Sequence, residues 1–574
     1  MDLDIARHSL SHILALAVKR IYGQAVKFGT GPATETGFFY DFELAKPLNK
    51  NDFGKIQAEM EKIIKENLAF KKKKMPIAES QEFFKTEEQP FKLHLLKTLA
   101  DEGTKEVTHF KLGEFEDLCS GPHLKKTGEI KIGGFALNKI AGAYWQGNEE
   151  NPMLTRISGL AFADKKALKK YLADQEEAKK RDHKKIGREL DLFSFHEEAP
   201  GSAYWNPKGM IIWNELENYG KEIRKEFGYQ EIQTPQLAKA SLWMTSGHWD
   251  HYKDEMFNFD VDREVYCLKP MDCPFNIQIY QSATRSYRDL PIRFTEIGRV
   301  MRNEKSGQLN GLFRVRTITQ DDAHIFLRED QVEKEIVIQL KMVKKYFTTF
   351  GIKPVFFFST RPDNFMGEVK TWDKAEDNLK NALKKEKIKY EVKEKDGAFY
   401  GPKIDLDIED SLGRRWQLAT IQLDFQLPQR FKLEYNDKDG KKKTPVLLHA
   451  AIFGSLERFI GILTEHLVGN FPVWLAPVQV KIISVGSKHV KFAHKLADEL
   501  AANGIRVEAD LDNESVGKKI HNAITEKVPY VLVIGDKEIK SKKLSVRDRS
   551  TGKVRELKTD SFLKEVKEKI SKKN

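Results

Sequence analysis

The chain has 574 residues, with 97 Lys and Arg against 85 Asp and Glu, a formal excess of 97 − 85 = +12. That length predicts about three domains, and 40% hydrophobic residues supply several cores, which excludes a disordered chain. No apolar run approaches the ~20 residues that span a bilayer, the N-terminus MDLDIARHSLSH lacks a signal-peptide pattern, and Cys119, Cys267 and Cys273 are too few for a disulfide framework. The expectation is a cytoplasmic protein with no membrane partner.

Residues 1–159 open with an amphipathic helix (ARHSLSHILALAVKRIY) and continue through short Gly-marked strands such as TGFFYDFEL, an α+β pattern. Residues 160–190 are charged, Pro-free and helical in pattern, and are expected to form a helical linker. Residues 191–475 hold long strand candidates (VYCLKP, PVFFFST, WQLATIQLDFQL) and predict a mainly antiparallel sheet with helices. Residues 476–574 alternate strand and helix, from VQVKIISVG to YVLVIGD, as in a parallel or mixed α/β unit. This last segment carries 22 Lys and Arg against 14 Asp and Glu, 22 − 14 = +8, which makes a polyanion a plausible partner, against the plainer reading of a solvated Lys-rich surface.

Chemistry-bearing residues fall into three groups. His8 and His12 lie one turn apart on the first helix, and Cys119 and His123 flank a Ser-Gly-Pro turn in DLCSGPHL. These four N and S donors suit zinc, or a water held for hydrolysis. Cys273, His324 and His449 are separated by 51 and 125 residues, intervals that match no local metal-ligand pattern. The third group lies in GRVMRNEKSG and GLFRVRTITQDD, where Arg302, Arg314 and Arg316 offer guanidinium groups to phosphates. Glu304, Asp321 and Asp322 stand nearby, able to accept from amines or to hold Mg²⁺. Arg458 sits on an apolar helix (GSLERFIGIL), a setting in which arginine usually snorkels. There is no Walker A loop and no GxGxxG after a strand.

Together these segments resemble the threonyl-tRNA synthetases, class II aminoacyl-tRNA synthetases. FGYQEIQTPQL, then FTEIGRVMRNE through GLFRVRTITQDDAHIF, and GSLERFIGIL correspond to the three class II motifs, while KPMDCP, TQDDAHIF, AFYGPKID and IQLDF are particular to the threonine enzyme. The resemblance runs from Arg7 to about Asp548 and implies a multidomain α+β and α/β chain: an editing domain (1–159), a linker (160–190), a class II antiparallel-sheet catalytic domain (191–475) and an α/β anticodon-binding domain (476–574). Many members carry an N-terminal ubiquitin-like domain, whereas this sequence opens at the HxxxH helix.

The implied function is ATP-dependent attachment of L-threonine to tRNA(Thr) through threonyl-adenylate by a homodimer, with Mg²⁺ accompanying ATP. Cys273, His324 and His449 would bind one zinc per subunit. Asp322 would receive the substrate ammonium, with Gln320, Tyr400 and Gln422 lining the pocket. Arg302 would bind the α-phosphate, Glu304 and Arg314 the adenine and γ-phosphate ends, and Arg458 would stack on adenine. His8, His12, Cys119 and His123, with Lys92, Asp117 and Tyr40 nearby, would hydrolyse seryl-tRNA(Thr).

Departures from the family pattern are Met301, Phe275-Asn276, Asn310, Ile318 and Ala419. They motivate an alternative, a catalytically weak RNA-binding regulatory paralogue of the same fold. A freestanding zinc hydrolase using the first four donors would leave most of the chain without a role.

Overall fold

The computed structural model describes residues 2–410 and 413–574. It divides into two compact units, Met1–Glu177 and Ala178–Asn574, a split that falls inside the helix Lys165–Arg181.

Unit 1 is organised around helix α1 (Leu3–Tyr22), capped by the Asp2 carboxylate, which accepts from the backbone of Asp4 and Ile5. Its middle, from Leu10 to Val18, is buried on every side, so it is a central helix rather than an amphipathic surface one. It packs against strands of two sheets. One contains β1 (Gly37–Glu43), and the other is a three-stranded antiparallel sheet of β2 (Lys71–Pro76), β3 (Glu106–Leu112) and β4 (Phe115–Leu118). Helix α2 (Pro90–Asp101) lies between β2 and β3 in sequence and starts with proline at its first position, where no intrahelical N–H is lost.

The segment expected as a helical linker holds two helices, the first being Lys165–Arg181. Asp182 leaves helical geometry (φ −51°, ψ 118°) and its side chain accepts from Lys184 N, starting a new helix, α3 (His183–Glu189). The charged pattern of residues 160–190 masked this capping aspartate.

Unit 2 is built on an eight-stranded sheet. In spatial order its strands are Gln230–Glu231, β5 (Ile292–Met301), β6 (Thr317–Leu327), β9 (Val446–Ser455), β8 (Arg415–Asp424), β7 (Lys403–Glu409), Pro354–Ser359 and Tyr390–Lys393. Pairing is antiparallel throughout the middle and parallel only at the two edges. Its core joins β6, β8 and β9 to helix α4 (Leu456–Leu467) and to the helices Pro207–Glu226 and Val332–Thr349. The VYCLKP segment does not enter this sheet. Glu264–Leu268 pairs instead with Asn258–Val261 and Leu237–Lys239 in a small separate sheet. There Cys267, fully buried beside Trp243 and Phe275, serves packing.

The C-terminal five-stranded sheet is mixed. Val480–Ser484 lies parallel to both Val507–Asp510 and Tyr530–Ile534, and the last two strands, Lys543–Asp548 and Val554–Lys558, continue antiparallel. It docks on the larger sheet's helices through Arg506, which donates to Glu215 at 2.6 Å.

Candidate functional site

In unit 2 the strand register assembles what sequence spacing could not. Gln320, Asp322 and His324 alternate along β6 and so project to one face. His324 stands directly opposite His449 on β9, and His449 opposite Gln422 on β8. Cys273 arrives from the first turn of the helix Cys273–Gln281. Its Sγ lies 3.3 Å from His449 Nδ1, and the donor atoms of Cys273, His324 and His449 all fall within 4.8 Å of one another.

These donors fit a metal. His324 is fully buried, yet neither ring nitrogen has a hydrogen-bond partner, an orphaning that native interiors tolerate only where something else satisfies the group. His449 Nε2 is 3.0 Å from Asp424 Oδ2, so the Nε2–H donates to the carboxylate and the Nδ1 lone pair faces the thiol, the usual arrangement behind a metal-bound histidine. Burial holds His324 well below the usual histidine range and pushes the Cys273 thiol up, helped by Asp322, Asp272 and Asp424. A bound cation reverses that balance for the thiol.

Asp322 is buried beside this trio, its Oδ2 3.9 Å from His324 Nε2. Burial, with Asp272, Glu296 and Asp321 close by, raises its carboxyl, so the pocket favours a cationic partner there. Tyr400 donates to Gln422 Oε1 at 3.2 Å, and Gln422 Nε2 donates to Gly401 O at 3.3 Å.

The arginines converge on an adjoining cleft of about 280 Å³, lined by Arg302, Glu304, Arg314, Ile318, Gln320 and Arg458 among others. Arg302 follows the end of β5 and donates through Nε to Pro270 O at 3.3 Å. Arg314 Nε is paired with Glu304 Oε2 at 2.8 Å, and Arg316 is turned to the Glu304 and Pro200 carbonyls. Arg458 does not snorkel. Its Nε donates to Phe313 O at 2.9 Å and its Nη1 to Gln417 O at 3.3 Å. Burial lowers its guanidinium, and Arg302 and Arg314 add to the effect. Three cations held this close make an anion site.

Sequence reasoning missed His248. It is 1% exposed, its Nδ1 engages Ser246 Oγ at 2.8 Å, and its Nε2 has no partner. Its ring lies 6.4 Å from that of Tyr400. Burial, with His449 close by, holds it near 3. In GHWDHYK, His248 and His251 are three residues apart, a spacing that does not single out His248. Among the departures, Asn276 donates to Glu296 Oε1 at 3.2 Å and to Asp272 O at 3.1 Å, and Asn310 accepts from Lys184 Nζ at 3.5 Å.

In unit 1, β4 delivers Asp117 and then Cys119, and the turn through Gly121 returns His123. Gly121 takes φ +75°, and a Cβ there would lie 2.9 Å from the Phe110 ring. Cys119 Sγ is 3.4 Å from His8 Nε2 and 3.3 Å from His123 Nε2, and the donor atoms of His8, His12, Cys119 and His123 lie within 4.8 Å of one another. Behind them Lys92, 2% exposed, pairs with Asp117 and donates to Tyr40 OH at 3.1 Å. Tyr40 OH donates to Asp117 Oδ2 at 2.6 Å, and His12 Nε2 is 3.8 Å from that same oxygen. Burial lowers all three imidazoles, His123 to about 2, and pushes the Cys119 thiol up to about 11. At neutral pH the cluster is therefore three free bases and a protonated thiol around one small space.

The sequence matches three family profiles: "tRNA synthetase class II core domain (G, H, P, S and T)" over residues 255–467, "Anticodon binding domain" over 479–569, and "Threonyl and Alanyl tRNA synthetase second additional domain" over 104–158. The threonine–tRNA ligase of Acetivibrio thermocellus is 49% identical over 570 residues, 99% of this chain and 89% of its own. That of Thermotoga maritima is 48% identical over 570 residues, 99% and 88% of the two chains. Among solved structures, the RNA binding domain of threonyl-tRNA synthetase from Cryptosporidium parvum superposes with a TM-score of 0.66 at 39% identity, covering 68% of this chain and 98% of that one. A putative threonyl-tRNA synthetase from Aeropyrum pernix gives 0.61 at 28%, covering 68% and 97%. With near-complete coverage, and all three profiles falling in the expected order, this chain belongs to the threonine–tRNA ligase family.

Proposed function

We propose that this chain joins L-threonine to tRNA(Thr) using ATP, through threonyl-adenylate, and hydrolyses mischarged seryl-tRNA(Thr) at the unit 1 cluster. The observation that carries the reading is one pocket in which His324 and His449 of the sheet face, Cys273 from a helix start, the buried Asp322 carboxylate and an arginine-lined cleft adjoin. Cys273, His324 and His449 would hold one zinc, a donor set that leaves open positions as catalytic sites do. A zinc held there would offer its open positions to the amino and hydroxyl groups of threonine, and valine, which lacks the hydroxyl, would leave one unfilled.

Asp322 takes the ammonium, and Gln320, Tyr400 and Gln422 shape the rest of the pocket. Arg302 receives the α-phosphate as the threonine carboxylate attacks it and pyrophosphate departs. Glu304 and Arg314 hold the two ends of ATP, with Mg²⁺ accompanying the phosphates, and Arg458 covers adenine. Acceleration comes from positioning and charge stabilisation, since no covalent enzyme intermediate forms. The basic C-terminal α/β sheet meets the tRNA.

Serine has the hydroxyl, and its missing methyl is worth only about 1–3 kcal/mol of discrimination. A second site is therefore needed. His8, whose imidazole is neutral but lowered less than those of His12 and His123, suits a proton-accepting role toward water, with His12, His123 and Cys119 beside it and Lys92, Asp117 and Tyr40 fixing the floor. The departures leave every donor and arginine in place, which supports an active ligase over a regulatory paralogue. A homodimer and a cytoplasmic location belong to the same reading, and no helix among the described residues is long and apolar enough to cross a membrane. The test is charging of tRNA(Thr) by the wild type and His8→Ala. Both should form threonyl-tRNA, and only the variant should accumulate seryl-tRNA; absence of threonylation by the wild type overturns the reading.

A further inference from the structure

His183, the first residue of α3, is 1% exposed and has no place in the chemistry above. Its backbone N–H and its Nδ1 both meet Glu465 Oε1, at 3.1 and 2.8 Å. On the other side of the ring, the backbone N–H of Leu312 donates to Nε2 at 3.0 Å. Leu312 can donate only to a lone pair, so Nδ1 carries the proton and donates a hydrogen bond to Glu465. The trio Asp182, His183 and Glu465 has metal-like donor spacing, but both ring nitrogens are already engaged by protein groups.

Leu312 lies in the turn Asn310–Arg314, where Phe313 N donates to Asn310 O at 2.9 Å. This turn belongs to the loop that carries Glu304 and Arg314 into the arginine cleft. Gly311, at φ +50°, lets the imidazole in: a Cβ there would stand 2.3 Å from His183 Nε2. The next residue, Phe313, packs on the His183 ring at 4.2 Å and on Trp416 at 4.3 Å. Its carbonyl is the acceptor that holds Arg458 Nε. The circuit closes on the far side, because Glu465 also pairs with Arg414, Arg414 with Asp410, and Trp416 Nε1 donates to Asp410 at 2.9 Å.

We propose that His183 is a positioning residue for adenylate formation. It fixes the Asn310–Arg314 turn so that the Phe313 carbonyl holds Arg458 in register with the nucleotide. The proposal rests on the ATP-site reading given above. It differs from a purely structural role in its signature: the ATP side of the reaction should suffer while the threonine side does not.

The experiment uses the full chain and compares wild type, His183→Ala and His183→Gln. Gln keeps one acceptor and one donor at the ring's far edge. In threonine-dependent ATP/pyrophosphate exchange, His183→Ala should raise the KM for ATP about tenfold, equal to about 1.4 kcal/mol, with the KM for threonine and seryl-tRNA hydrolysis unchanged. His183→Gln should recover to within about threefold. The Leu312 amide should exchange hydrogen at least about tenfold faster in His183→Ala. An unchanged KM for ATP, an equal rise in both KM values, or unchanged Leu312 exchange overturns the proposal. A wild type without threonine-dependent exchange defeats the functional reading instead, and Leu312 exchange then still decides the positioning claim.

Discussion

Lys92→Met is the sharpest perturbation of the unit 1 floor. Lys92 and Asp117 are 2% and 3% exposed and form an ion pair, with Tyr40 bridging them. Methionine keeps the length of the side chain and removes the charge, leaving Asp117 with the Tyr40 hydroxyl alone. Breaking one side of a buried pair costs about 3–5 kcal/mol. The cluster's remedy is a proton, because Lys92 is one of the groups that lower His12 and His12 Nε2 stands 3.8 Å from Asp117. The variant should therefore lose about 3–5 kcal/mol of unit 1 stability at pH 8 and measurably less at pH 6. Hydrogen exchange of the α1 amides reads the opening of unit 1 locally. A loss below about 1 kcal/mol, or the same loss at both pH values, would refute the reasoning.

In the wild type the sign is opposite. His12 and His123 have folded-state values below the unfolded 6.5, so the unfolded chain takes up protons first. Their contribution is complete above about pH 6.5 and is lost on acidification, by up to ~1.4 kcal/mol per pH unit for each histidine; α1 protection that is flat between pH 7 and 5 would contradict this. Cys273→Ala should remove the bound metal, read by elemental analysis. It should lower threonine-dependent exchange by more than about 100-fold, since loss of an outer-shell partner alone costs about 10–100-fold. Retention of both would disprove the ligand set.

What the sequence made legible depended on distance along the chain. His8 and His12 share a helix face by local spacing, and Cys119 and His123 flank one turn, so both halves of the unit 1 cluster could be read before they were seen together. Cys273, His324 and His449 could not. They meet through the β6–β9 register and a helix start, which leave no local pattern, and only the motifs around them pointed to a common site. The alternating C-terminal pattern announced its parallel strands, while the antiparallel pair at its end followed from pairing order rather than periodicity. Asp182 is a capping signal hidden in a charge-rich helix, and it is what brings His183 against the Asn310–Arg314 turn. His248 and His183 were invisible for the same reason: a single buried histidine has meaning only through what it touches.

The central claim is that one metal-lined pocket selects by a hydroxyl. It is tested most directly by ATP/pyrophosphate exchange with threonine, serine and valine on the same preparation. Threonine should support exchange. Serine should follow with kcat/KM about 10–200-fold lower, and valine should fall at least about 10⁴-fold below threonine, because a site built to bind a hydroxyl rejects the analogue without one. No threonine-dependent exchange, or valine within about 100-fold of threonine, would contradict the account.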